Sequence, residues 1–160
     1  AQQAKKERAD AKAARAAAKV ERASIKARKE AIKTIPELIK EAQREFNGYI
    51  RARDQDQPCI CCGRPLGDGD VGGAFDAGHY RSTGSASHLR FNEHNCHAQR
   101  KQCNRYGAGR AVDYRIGLIG RIGLEAVEAL EAQNVPHKWT REELIFIRDT
   151  YKKKLKELKA

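Results

Sequence analysis

The chain has 160 residues, 40% of them hydrophobic and 6% aromatic, which suits one domain, or one domain with an arm, but is lean for a single large core. Lys and Arg number 32 against 21 Asp and Glu, so the formal charge is +11 and the expected partner is a polyanion. No stretch approaches the roughly 18 uncharged apolar residues of a membrane span, and the charged start AQQAKKERAD is unlike a secretory signal. Five cysteines clustered with histidines favour a reducing, intracellular setting. The absence of methionine predicts that the natural start lies upstream.

Residues 1–33 carry a large share of this charge, with 11 Lys/Arg against 4 Asp/Glu, or +7, while the rest of the chain carries +4. Their Ala, Lys, Arg and Glu content predicts a long charged helix. Val20, Ile25 and Ile32 are too few to give that helix an apolar stripe. We therefore expect an arm that is either a solvated helix or disordered. Both a phosphate-binding role and a partner-free tail remain open for it.

A second helix is predicted to begin at Thr34, because Thr34 and Glu37 match the pattern of a capping box. Apolar residues then recur at helical spacing for about 18 residues. They are Ile35, Leu38, Ile39, Ala42, Phe46, Tyr49 and Ile50. The turn-like residues after Arg53 predict that the helix ends there.

Residues 59–110 have a different character, rich in Cys, Gly and His, with short strand-like pieces at 73–76 and 89–91. Helical spacing returns afterwards in three sets of residues. These are Tyr114, Leu118 and Ile122; Leu124, Val127 and Leu130; and, after a capping box at Thr140 and Glu143, Leu144, Ile147, Tyr151, Leu155 and Leu158. The predicted fold is α+β and mostly helical. A domain over 34–160 would contain a small module at about 59–110.

The module opens with Cys59-Ile60-Cys61-Cys62-Gly63, in which Cys59 and Cys62 have the spacing of a zinc knuckle. A matching second pair, ending at Cys103, would need a cysteine at position 100, which is occupied by Arg100. We expect a structural Zn²⁺ on Cys59, Cys62 and Cys103, with either Cys96 or His97 as the fourth ligand. Free thiols are the alternative, and His97 could equally be a helix residue bonded to the backbone.

A second group of polar residues predicts catalysis of phosphodiester hydrolysis. His79 lies on a predicted strand over 76–80, Asn95 lies in the next loop, and Asn104 lies at the start of a predicted helix, which is the order of a ββα-metal nuclease site. A neutral imidazole such as His79 can activate water near pH 7. Hard oxygen ligands such as Asn104 and Asp76 suit Mg²⁺ or Mn²⁺, which would stabilise the charge of the transition state. Asn95 is expected to bond backbone groups of its loop and so to fix the His79 ring.

At these residues the sequence resembles a known family. The run D-A-G-H-Y-R-S-T-G-S-A-S-H-L-R-F-N-E-H-N-C-H-A-Q-R-K-Q-C-N, over 76–104, is similar to the NinG (Rap) family of lambdoid phage recombination proteins. The resemblance covers roughly residues 35–158, including R-I-G-L-E-A-V and H-K-W-T. It implies a zinc-stabilised HNH (His-Me finger) endonuclease acting on branched DNA, such as Holliday junctions and D-loops. The site of action would be the cytoplasm of a bacterial host.

The resemblance implies that His79 is the general base, Asn95 the loop-orienting residue and Asn104 a metal ligand. Three departures from the family pattern stand out. Arg100 replaces the first cysteine of Q-C-x-x-C-N, which predicts weaker zinc binding. Gly78 stands where many HNH enzymes carry Asp or His, so Asp76 is the candidate carboxylate. The cysteine-bearing segment with which the family generally begins is absent.

Basic residues surround the predicted site and favour a phosphate-binding face, the alternative being a merely solvated surface. The candidates for DNA contact are Arg81, Arg90, Arg100, Lys101, Arg105, Arg110 and Arg115. Tyr80, Phe91 and Tyr106 are expected in the core of the module. A symmetric cut of a junction would call for a homodimer through helices 35–53 or 141–158. The rival hypothesis is a zinc-containing DNA-binding protein with weak or no catalysis.

Overall fold

The computed structural model describes residues 2–67 and 74–160, and these form two compact units, 1–37 and 38–160. The sequence predicts the boundary slightly earlier, after residue 33. In the first unit, α1 (Gln2–Ala31) has no buried residue, in keeping with its lack of an apolar stripe. Between α1 and the next helix, the amide and hydroxyl of Thr34 both donate to the Glu37 carboxylate.

The second unit is mostly helical, with a small sheet. Its elements are α2 (Ile35–Arg53, which starts in the first unit), β1 (Phe75–His79), β2 (Cys96–Arg100), α3 (Ala111–Ile122), α4 (Leu124–Ala132) and α5 (Arg141–Leu158). Short 3-10 turns occupy Ser87–Leu89 and Glu93–Asn95, and one π-helical turn occupies Gln102–Tyr106. The predicted end of α2 at Arg53 is confirmed. The predicted start of α5 after Thr140 is also confirmed, and it has a complete capping box.

β1 and β2 pair antiparallel, with Phe75 opposite Arg100 and His79 opposite Cys96. β1 confirms the predicted strand from residue 75 onward, and residue 73 of that prediction lies outside the described residues. The strand predicted at 89–91 is wrong, because Leu89 ends a 3-10 turn whose tight local bonds replace a strand ladder. β2 is the true partner, and four of its five residues are buried. A strand covered on both faces shows no alternation of polar and apolar residues, so β2 has no recognisable strand pattern.

One face of the hairpin packs on α2 and α5. Leu38, Ala42, Phe46 and Ile50 of α2 and Leu144 and Tyr151 of α5 enclose Ala77, Phe91 and Cys96. The Phe46 ring meets Tyr151 edge-on at 4.8 Å between centroids. The other face meets α3, whose Tyr114 hydroxyl donates to the Gly78 carbonyl at 2.8 Å.

One expectation about the core is wrong. Tyr106 is 84% exposed, because the π-helical turn that carries it lies on the surface. Leu124 and Leu158, each at an end of its helix, are also exposed. Phe91 is buried as predicted, and Tyr80 is half-buried.

No helix within residues 2–67 and 74–160 has the length and apolar character needed to cross a membrane.

Two glycines of α3 provide a matched test of how closely this helix packs on the zinc-knuckle segment. A Cβ at Gly117 would lie 1.8 Å from the Ile60 carbonyl oxygen, whereas a Cβ at Gly120 would have no neighbour within 4 Å. We expect Gly117→Ala to lower the free energy of unfolding by about 3 kcal/mol. Gly120→Ala should raise it by roughly 0.4–1 kcal/mol, because alanine restricts the unfolded chain and favours helix. Urea unfolding of the two variants would measure both changes, and equal effects would contradict the packing.

Candidate functional site

The hairpin carries the predicted polar residues at its two ends. His79 closes β1, and the amide of the next residue, Tyr80, donates to the Asn95 carbonyl at 2.8 Å just before β2 begins. Asp76 lies near the other end of β1, opposite Gln99. The long connection between the strands therefore starts and finishes beside His79.

Asn95 is fully buried and hydrogen-bonds this connection at three points. Its Oδ1 accepts from the Arg81 amide at 2.9 Å, and its Nδ2 donates to the carbonyls of Arg81 and Leu89 at 3.0 and 3.2 Å. An amide side chain can donate and accept at once, which a carboxylate cannot do, so asparagine satisfies both kinds of backbone group here. These bonds hold the chain that follows His79 in one conformation.

The His79 ring is partly buried and packed on Phe46, with 6.2 Å between ring centroids. Its Nε2 lies 2.9 Å from the Arg90 carbonyl oxygen. Since a carbonyl only accepts, Nε2 carries the proton and Nδ1 keeps its lone pair. Burial lowers the pKa of His79 and outweighs the bond to Arg90, so the ring is neutral near pH 7. Nδ1 lies 3.8 Å from the Cys96 thiol, and with this nitrogen unprotonated the neutral imidazole has the lone pair that a general base requires.

Asp76 and Asn104 are in direct contact, through a 3.1 Å bond from Asn104 Nδ2 to the Asp76 carboxylate. Arg105 grips both oxygens of the same carboxylate, at 2.8 and 2.9 Å. Burial raises the pKa of Asp76, but these donors outweigh it and the pKa is lowered. Because successive strand residues alternate between faces, Asp76 and His79 leave β1 on opposite sides. The predicted residues thus form two pairs, His79 with Asn95 and Asp76 with Asn104.

The knuckle cysteines meet the last cysteine as predicted. The Sγ atoms of Cys59, Cys62 and Cys103 all lie within 4.8 Å of one another, so the three could hold one ion. The loop that aims them is closed by the Gly63 amide on the Cys59 carbonyl, and Gly63 has the positive φ of +65° that glycine favours.

The electrostatics of this group favour a metal-binding thiolate. Hydrogen bonding from the Cys61 side chain lowers the pKa of Cys59 to about 4 against the effect of burial, and the amides of Cys62 and Arg100 assist. Metals bind the thiolate form of cysteine, so this environment fits Zn²⁺.

The two candidates for a fourth zinc ligand are wrong, because β2 carries both away from this group. Cys96 is buried against the α2 core, with its Sγ 3.8 Å from His79 Nδ1. His97 is on a strand, not a helix, and its ring faces Tyr114 on the other side of the hairpin. Cys61 is not in the group of three, although its side chain hydrogen-bonds Cys59. Its Sγ also accepts from the Gln99 side chain at 2.6 Å.

Gln99 lies between the cysteine segment and β1, and the sequence patterns did not identify it. It is fully buried, and its Nε2 also donates to the Gly109 carbonyl at 2.9 Å. A Cβ on Gly78 would lie 2.1 Å from its Oε1. Any larger residue at position 78 would therefore force the buried Gln99 side chain to shift. No composition or spacing rule would have identified a lone buried glutamine.

Two of the predicted DNA-contacting residues already bind other groups of this chain through their side chains. Arg81 donates to the carbonyls of Leu130 and Gln133 and to the Asn134 side chain. Arg115 pairs with Glu131 at 2.7 Å. Both guanidinium groups thus bind hydrogen-bond acceptors at or just after the C-terminal end of α4.

The remaining basic candidates differ in their partners within the protein and in their exposure. Arg105 is held by Asp76 but keeps 57% of its side chain exposed, and Arg110 lies 3.6 Å from Asp113. Arg90 donates to Gln43 and Thr83, while its buried Nε has no partner. Arg100 and Lys101 are half-buried at the end of β2.

We expect Cys103→Ser to weaken zinc binding by at least about tenfold, because it removes one of only three grouped thiols. Cys96→Ser, the matched control, should leave zinc affinity unchanged, since Cys96 lies in another cluster. Competition with a colorimetric chelator would give both affinities. Equal losses in the two variants would contradict the assignment of ligands.

Buried His97 predicts acid sensitivity of the fold. Burial, assisted by the Arg53 cation, lowers its pKa below the ordinary 6.5 of the unfolded chain. The unfolded state therefore binds the extra proton first, and stability falls as the pH drops below 6.5, by up to about 1.4 kcal/mol per pH unit.

Urea unfolding at pH 7.5 and pH 5 measures this effect. His97→Gln should reduce the loss at pH 5, whereas His94→Gln, on an exposed histidine, should not. An unchanged acid loss in His97→Gln would rule out this source of the sensitivity.

Comparison with known proteins adds the family. The model of the family described as "Bacteriophage Lambda NinG protein" matches residues 1–160. "Protein ninG" of Escherichia phage lambda is 47% identical over 120 residues, which are 75% of this chain and 56% of that protein. "Protein ninG" of Salmonella phage P22 is 45% identical over 120 residues, 75% of this chain and 57% of that protein.

The chain thus spans a little more than half the length of these relatives. No solved structure matches it. The match to the family model over the full length is sufficient by itself: the chain belongs to the NinG family.

Proposed function

We propose that this chain is a divalent-metal-dependent DNA endonuclease of the HNH (His-Me finger) type, acting on branched recombination intermediates. The proposal rests on the hydrogen bonding and protonation of the His79 ring. Its Nε2 is held by the Arg90 carbonyl, and its Nδ1 keeps a lone pair at neutral pH. A strand-end imidazole fixed in one tautomer is what a base for water activation requires.

The reaction would use the protein's own groups in a simple order. His79 Nδ1 takes a proton from water, and the resulting hydroxide attacks the phosphorus. The three bonds of Asn95 keep the neighbouring loop in place during this step. Arg90, whose guanidinium lies close enough to His79 to lower its pKa further, would attract the negative phosphate.

Asn104 and Asp76 would hold the divalent cation, since an amide oxygen and a carboxylate are hard donors that suit Mg²⁺ or Mn²⁺. When bound, the ion would stabilise negative charge on the phosphorane and on the departing oxygen. Both Asp76 oxygens accept from Arg105, whose side chain is largely exposed. Arg105 is therefore placed to exchange this carboxylate for a substrate phosphate.

The preference for branched DNA rests on the NinG resemblance and concerns the whole protein, of which this chain covers part. Binding would use the basic residues that are not committed to the end of α4, chiefly Arg90, Arg100, Lys101, Arg105 and Arg110. A homodimer through α2 or α5 would suit symmetric cleavage. On α5, Phe146 is 72% exposed and is available for such a contact.

A DNA-binding role without efficient catalysis is the second candidate, and a specific observation favours it. Asp76 is saturated by Arg105 and Asn104, and it leaves β1 on the side opposite His79. If the two pairs never act on one phosphate, DNA binding would remain and cleavage would not.

Cleavage of a four-way junction with Mg²⁺ or Mn²⁺ separates the two candidates. We expect His79→Ala to lower the cleavage rate by at least about 10²-fold, because it removes the general base. His94→Ala, on an exposed histidine two positions before β2, should cut at the rate of the unchanged chain. DNA binding should be the same in all three proteins. Equal cutting by the His79→Ala variant would overturn the nuclease proposal, and no cutting by any of them would favour the binding role.

A further inference from the structure

The grouped cysteines supply three ligands where zinc takes four. Cys59, Cys62 and Cys103 approach one another, and within the described ranges no other His, Cys, Asp or Glu joins them. Arg100 occupies the position at which the family pattern has a cysteine. Cys61 hydrogen-bonds both Cys59 and Gln99 but is not within 4.8 Å of all three grouped sulfurs, and Cys96 lies beside His79, so neither thiol belongs to the group.

A cavity of about 90 Å³ lies against two of these thiols. It is lined by Cys62 and Cys103 together with Arg64, Arg100, Gln102 and Arg110. Its volume equals roughly three water molecules, which is also enough for one tetrahedral oxyanion. Two of the grouped cysteines and three arginines therefore line one small cavity.

Arg110 reaches this cavity from a tight turn. Ala108, Gly109 and Arg110 all have positive φ, at 50°, 76° and 47°. This conformation costs a non-glycine residue about 1 kcal/mol, and the Gln99 side chain stabilises the turn by donating to the Gly109 carbonyl. The turn thus places a cation beside the cysteines at some cost in backbone energy.

The charges of this region favour an anion once zinc is bound. Zn²⁺ with three thiolates carries a net charge of −1, and the three arginines contribute +3. Asp113 lies 3.6 Å from Arg110 and offsets one positive charge, but both of these side chains are about half exposed. The remaining positive charge is suited to a phosphate-type ligand, because guanidinium groups donate in a geometry that matches its oxygens.

We propose that the zinc site has a fourth coordination position that binds an exogenous phosphate oxygen, held by Arg100, Arg64 and Arg110. Arg100 thus has a binding role at the position of the missing cysteine. The ligand is inorganic phosphate or a phosphodiester of DNA, since both present the same oxygens. This site does not include His79, so its test and the test of the nuclease proposal are independent of each other.

Cobalt-substituted protein tests the proposal, because the visible absorption of Co²⁺ distinguishes a three-sulfur site from a four-sulfur site. We expect the unchanged chain to give a three-sulfur spectrum that shifts saturably with inorganic phosphate. Arg100→Cys should give a four-sulfur spectrum that phosphate does not alter. Arg44→Gln, which changes an exposed arginine on α2, should behave like the unchanged chain. Metal content after gel filtration verifies that phosphate has not removed the cobalt.

Arg64→Gln and Arg110→Gln test the anion contacts without touching a thiol. Each should weaken the phosphate-dependent shift by about tenfold while cobalt affinity stays nearly constant. A short DNA duplex that causes the same shift, and competes with phosphate, would identify a phosphodiester as the ligand; a duplex without effect would identify the free ion. A four-sulfur spectrum in the unchanged chain, a spectrum insensitive to phosphate, or no bound metal would overturn the proposal.

Discussion

An ion pair at the end of α2, between half-buried Arg53 and buried Asp54, holds the hairpin on which both candidate sites depend. Arg53 donates to both oxygens of Asp54, at 2.6 and 2.9 Å, and also to the carbonyls of Glu93 and Cys96. Asp54 in turn accepts from the Ala98 amide at 2.9 Å. Burial raises the pKa of Asp54, but these bonds outweigh it and keep the carboxylate charged. Removing one partner of such a pair generally costs about 3–5 kcal/mol, because the other charge is left buried and unpaired.

The Arg53–Asp54 pair supports the residues at both ends of β2. Toward the start of β2, its bonds to Glu93 and Cys96 flank Asn95, which holds the loop after His79. Toward the end of β2, the Ala98 carbonyl receives the Ile60 amide, and the Arg100 amide donates to Cys59 Sγ at 3.3 Å. One strand therefore supports the histidine at one end and the cysteine group at the other. A change that loosened the pair would be expected to disturb both.

The sequence predicted the parts of this arrangement that depend on local rules. The helix beginning after Thr34, the capping box at Thr140 and the strand leading to His79 follow from spacing and capping chemistry, and each is present. The three cysteines also meet as their spacing predicts. The predictions failed where burial or pairing is non-local. β2 is covered on both faces and so lacks a strand pattern, and its pairing with β1 is what carries Cys96 and His97 away from the metal group. Gln99 and the partners of Arg81 and Arg115 likewise depend on contacts between distant segments.

The fold holds His79 as a neutral ring with its proton on Nε2 and its lone pair on Nδ1, and the proposed chemistry depends on this state. Two-dimensional ¹H–¹⁵N NMR of the histidine rings, recorded through long-range couplings, reads this state directly. Assignment of the His79 signals would come from their loss in His79→Gln. We expect, at pH 7, a protonated Nε2 and an unprotonated Nδ1. A ring protonated on both nitrogens, or one with its proton on Nδ1, would contradict it.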